Sequence, residues 1–168
     1  MVTGAAIRRI RRPATRNERV EYRYFGRWRV GELLMLMAAA FSMIAAIFPW
    51  ATAGSASVTV ANAGENGTRY AFIFVLAAVA LALSVLGRRP WAAWVGMAMG
   101  PPIGIASYLA FTSAEAVLLA AGAPPEAIRA DLGISCATAA AIAAFAGGVV
   151  EALAQRRPQD RGDDPGSG

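Results

Sequence analysis

Four long apolar blocks leave this chain few folds to choose from. They run over residues 30–50, 70–87, 90–111 and 132–153, and the only charged side chains inside them are Glu32 and Glu151, each near a block end. About 20 helical residues cross a hydrocarbon layer of about 30 Å, so each block is long enough to span. Backbone groups in lipid have no water to bond, so each segment must satisfy its own, which a helix does. The blocks lack the alternation of a membrane barrel, and four strands cannot close one. The fold class expected is an all-α membrane protein with four transmembrane helices in an antiparallel bundle over residues 30–153. A basic segment, 1–29, precedes it and a disordered tail, 154–168, follows. The connections 51–69 and 112–131 then lie on one side, and the short turn at Arg88-Arg89 lies on the other.

Arginine placement sets the expected orientation. The segment 1–29 carries nine arginines against Glu18 and Glu21, a net charge of +7. Arg88 and Arg89 add +2, and Arg156 and Arg157 follow the last block. The two longer connections hold Arg69 and Arg129 against Glu65, Glu115, Glu126 and Asp131, a net charge of −2. Basic residues stay on the cytoplasmic side, so both termini are expected there. Trp28, Trp50, Trp91 and Trp94 fall near block ends, where indoles favour the interface. A rival reading takes the basic start and Ala51-Thr52-Ala53 as a secretory signal with its cleavage site. The basic region is too long for that, and the apolar run exceeds a usual signal core.

Composition narrows the chemistry. All basic residues are arginine, and with alanine and glycine abundant this points to a GC-rich bacterial genome. Histidine is absent, which removes the commonest general base and metal ligand. No Ser–His or Cys–His pairing, zinc cluster, Walker loop or Gly-x-Gly-x-x-Gly is present. No catalytic, cofactor-binding or metal-ligating residue is therefore expected, nor an enzyme. The lone Cys136 reads as a small packing residue.

Several local patterns carry expectations. Gly96, Gly100 and Gly104 form a small-residue stripe on the third helix, and Ser135, Ala139, Ala143 and Gly147 form one on the fourth. Such stripes let helix backbones approach closely, here against each other or against a partner. Pro101 and Pro102 each remove a backbone donor, predicting a kink or break in the third helix. Glu32 and Glu151 lie within reach of the interface, with Arg88, Arg156 or Arg157 near Glu151. Thr112 and Glu115 are spaced as a capping box, predicting a separate short helix over 114–121 that stops at Gly122, and Pro125 suits a following first turn. Residues 57–60 read as a short strand and Asn66-Gly67 as a turn. Arg8, Arg9, Arg11, Arg12, Arg27 and Arg29 are expected to face lipid headgroups, with an attraction of about 1 kcal/mol per arginine near an anionic surface.

The order of helix, Phe48-Pro49-Trp50, polar loop, helix, Arg88-Arg89-Pro90-Trp91, helix, loop, Leu132-Gly133-Ile134, helix and basic tail resembles small four-span actinobacterial membrane proteins. It is similar in outline to the tryptophan-operon-associated membrane proteins. The resemblance spans residues 30–157 and implies a bacterial inner-membrane protein without implying an activity. The expected function is that of a non-catalytic accessory or scaffold subunit. Its expected partners are anionic lipid headgroups and another membrane protein or a second copy, with no nucleic acid. The alternative is a small transporter or channel subunit working through a broken third helix.

Overall fold

The computed structural model describes residues 28–156. Four helices account for most of it: α1 Val30–Ile47, α2 Gly67–Leu86, α3 Ala92–Ala120 and α4 Leu132–Arg156. All four are long and apolar enough to cross a membrane. They form a ring in which α1 touches α2 and α4, and α3 touches α2 and α4. Met35, Ala38, Phe74, Leu81, Ile103, Ala110, Ala140 and Ala144 fill the centre. Large apolar side chains such as Phe72, Leu83, Ile105 and Ile142 point outward, as lipid-facing positions do.

Helix ends follow from local chemistry. At the start of α1 the Glu32 carboxylate accepts the Arg29 backbone N–H at 2.8 Å, satisfying one otherwise open donor. α1 stops three residues before the end of its apolar block. Phe48 and the residues after it adopt extended backbone, and Pro49–Ala53 becomes a strand, β1. α2 starts at Gly67, three residues before its apolar block, so Asn66-Gly67 is a helix start rather than a hairpin turn. A Cβ on Gly67 would lie 2.5 Å from the Val60 carbonyl, which is why glycine stands there.

α2 ends in a Schellman turn. The Arg88 N–H donates to the Val85 carbonyl at 3.0 Å and the Arg89 N–H to that of Ser84 at 3.1 Å. The left-handed residue, usually glycine, is Arg88, with φ of 47°. α3 ends in the same turn with Gly122 in that place, φ of 86°.

α3 corrects two expectations. It continues through Pro101 and Pro102, so the predicted helix break is absent, although each proline still lacks its donor. Both prolines are exposed, on the outer face of the helix. The predicted separate helix over 114–121 is the last third of α3. Thr112 does not cap a new helix; its hydroxyl donates back to the Leu109 carbonyl at 3.0 Å. At about 1.5 Å per residue, 29 residues span about 43 Å, so α3 outruns a hydrocarbon layer of about 30 Å.

The long connections build a small cap over one end of the ring. β1 pairs antiparallel with β2, Ala56–Thr59, around Gly54, whose φ is 60°. β1 also pairs antiparallel with β3, Arg129–Ala130, giving the order β2-β1-β3. The strand expected over 57–60 is thus β2 displaced by one residue, followed by a 3-10 turn over Val60–Asn62.

Candidate functional site

Among the described residues, a cluster of charged side chains sits at the opposite end from the cap. There the start of α1, the end of α2, the start of α3 and the end of α4 enclose a cavity of about 240 Å³. Arg29, Glu32, Arg88, Arg89, Glu151, Gln155 and Ser84 line it.

Close helix approach makes the cavity. Gly31 on α1 and Gly147 on α4 face each other so tightly that a Cβ on either would lie 2.8 Å from the other's carbonyl oxygen. Glu151 stands one turn beyond Gly147 on the same face of α4. Its backbone N would lie 3.0 Å from a Cβ on Gly31. The missing side chain at Gly31 therefore lets the Glu151 stem run beneath α1. Arg29, two residues earlier, then reaches it. Its Nη1 donates to Glu151 Oε1 at 2.7 Å, across 122 residues of sequence. Gln155 Nε2 adds a longer contact of 3.4 Å to the same oxygen.

The pair is asymmetric. The Glu151 side chain is 5% exposed and that of Arg29 is 46% exposed. Glu151 Oε2 is buried with no hydrogen-bond partner. Leaving a buried acceptor unmatched costs about 1–3 kcal/mol, more for a charged group. Glu151 therefore does not reach outward to the interface, as its position near the helix end predicts; it turns inward. Among the described residues its partner is Arg29 rather than Arg88 or Arg156, although Arg88 lines the same cavity; Arg157 lies outside the described residues.

At the cap end the chemistry is structural. Trp50 is fully buried, and its Nε1 donates to the Ala45 carbonyl at 2.6 Å, one of the open acceptors at the end of α1. Its ring centroid lies 5.2 Å from that of Phe74. Gly133 opens α4 directly beneath: a Cβ there would lie 2.6 Å from both the Pro49 carbonyl oxygen and the Trp50 ring. Trp50 thus departs from the interfacial expectation, because the cap covers it. Trp91 and Trp94 remain exposed.

Gly96 and Gly100 lie buried against α4. A Cβ on Gly96 would meet the Ala144 carbonyl at 2.8 Å, and one on Gly100 the Phe145 Cβ at 2.8 Å. Gly104 has room, its nearest neighbour being the Ala141 Cβ at 3.8 Å. The α4 face opposite α3 therefore runs through Ala141, Ala144, Phe145 and Gly148 rather than Ser135, Ala139, Ala143 and Gly147. Gly147 serves α1, while Ser135 and Ala139 line an open groove with Thr138 and Ile142. Of the arginines expected at headgroups, Arg29 is described, and Arg8, Arg9, Arg11, Arg12 and Arg27 lie outside the described residues.

Fold and site together define a mostly helical chain with four helices fit to span a membrane and a charged cavity at one end of them. The chain matches no protein-family model, no curated protein and no solved structure.

Proposed function

We propose that this is a non-catalytic accessory or scaffold protein of a bacterial cytoplasmic membrane, with its spans antiparallel and both termini cytoplasmic, binding lipid headgroups and neighbouring membrane proteins. The observation that supports this reading is the closed interior. Among the described residues, the buried polar side chains are Ser42, Ser84, Ser107 and Glu151. The hydroxyls of Ser84 and Ser107 donate to carbonyls of their own helices. Glycine and alanine bring the backbones together in between, so little is left for a solute to follow. Binding capacity then sits on the outer faces and at the two ends. The transporter alternative loses the feature that favoured it, because α3 runs unbroken through Pro101 and Pro102. The resemblance to four-span actinobacterial membrane proteins fits the same reading.

Mild-detergent purification of the tagged full chain from native membranes, with mass spectrometry of what remains bound, tests this. The expected result is a stoichiometric membrane-protein partner or retained phospholipid. Solute flux through the purified protein in liposomes, absent from empty liposomes, would replace this reading with the transporter.

A further inference from the structure

We infer that the cavity between the helix ends is a site for a glycerol-phosphate headgroup, with the phosphate on Arg88 and Arg89 and the glycerol hydroxyls donating to the Glu151 and Glu32 carboxylates. The inference rests on the lipid-binding reading above and names the lipid chemistry.

Charge comes first. Among the described residues, Arg29, Arg88 and Arg89 face Glu32 and Glu151 around one cavity, a surplus of one positive charge. A phosphodiester carries one negative charge and balances it. Arg29 is held by Glu151, whereas Arg88 and Arg89 are exposed neighbours on the rim. Guanidinium groups bind phosphate oxygens through paired N–H donors, so these two suit an incoming phosphate.

The buried carboxylate selects the alcohol. Glu151 Oε2 needs a donor and has none. Its charge is already met by Arg29, so a neutral hydroxyl suffices. An ammonium group would add positive charge to a cavity that already has a surplus. The Gln155 amide reaches only the other oxygen, Oε1, at 3.4 Å, and so leaves Oε2 to the hydroxyl. Ethanolamine headgroups are therefore disfavoured, and bare phosphate leaves Oε2 unmet.

Native mass spectrometry of the full chain, titrated separately with phosphatidylglycerol, phosphatidic acid and phosphatidylethanolamine, is the test. One phosphatidylglycerol per chain should bind at least five-fold more tightly than either other lipid. Arg88→Gly relieves a left-handed backbone position, so its melting temperature should hold or rise while phosphatidylglycerol affinity falls five-fold or more. Arg89→Gln should weaken binding alike, and Arg69→Gln, away from the cavity, should not. Glu151→Gln should erase the preference over phosphatidic acid. Competition by soluble glycerol 3-phosphate would assign the site to a free metabolite of that chemistry, and its failure to compete would assign it to lipid. Equal binding of the two anionic lipids to the wild type, or unchanged affinity in Arg88→Gly, overturns the headgroup site while leaving general lipid binding intact. No retained lipid of any kind overturns both.

Discussion

Gly148 shows how little room the α3–α4 seam leaves. A Cβ there would lie 2.5 Å from the Met97 backbone nitrogen and 2.6 Å from the Ala93 carbonyl oxygen, so neither a rotamer change nor a side-chain swing can make space. Gly148→Ala should cost about 1–3 kcal/mol, the range for forcing atoms into a full core. Gly104→Ala adds the same methyl where the nearest atom is 3.8 Å away, and should be neutral or stabilise by up to about 1 kcal/mol through helix propensity. Thermal unfolding of both variants in one detergent compares them, and equal melting temperatures would show that the seam is loose. The Arg29–Glu151 pair obeys a different logic. Arg29→Gln strands a carboxylate that is 5% exposed, and partly exposed Arg29 limits the loss to about 1–3 kcal/mol. Adding Glu151→Gln should recover part of that loss. A double variant no more stable than Arg29→Gln alone would show that the pair's charge is not what holds this corner.

The cap works as an element because β1 carries Trp50 into the bundle. The indole N–H closes an open carbonyl of α1, and its ring lies against Phe74 and the start of α4. Trp50→Phe keeps most of the apolar bulk and removes the buried donor, at a cost of about 1–3 kcal/mol. Trp91→Phe, on an exposed ring, should change melting by far less, and equal shifts would contradict the plug role. The elements also show what the residues reveal unaided. Span number and approximate limits are legible because an uncharged run of about 20 residues has few other uses. β1 was hidden because Pro49-Trp50-Ala51 continues the apolar run of α1, and hydropathy does not record the change from helix to strand. The α4 contact face was hidden for another reason. Small residues occur on every side of α4, so four-residue spacing cannot choose between the Ser135 and Gly148 faces. The third helix reads too short in the sequence because Thr112 and Glu115 mimic a cap signal inside a continuing helix.

At the scale of the whole molecule the ring joins two ends that differ in charge. The cavity gathers the start of α1, the turn between α2 and α3, and the end of α4 at one end, with Arg29, Arg88 and Arg89. The other end, with the helix ends and connections there, holds Glu65, Glu115, Glu126 and Asp131 against Arg69 and Arg129. Basic residues close to span ends resist translocation more than acidic ones promote it, so the Arg88-Arg89 turn should stay cytoplasmic. Single cysteines can read this in a Cys136→Ala background, since the native thiol is buried in α4. Ser57, Arg89 and Ala121 are all exposed, so a reagent on the right side can reach each of them. Ser57→Cys and Ala121→Cys should react with an impermeant maleimide on intact cells. Arg89→Cys should react only after permeabilisation. Arg89→Cys removes one of the arginines expected on that side, so Arg88 and the nine before Val30 should hold the orientation. Labelling of residue 89 on intact cells would reverse the topology and move the charged cavity to the outer face.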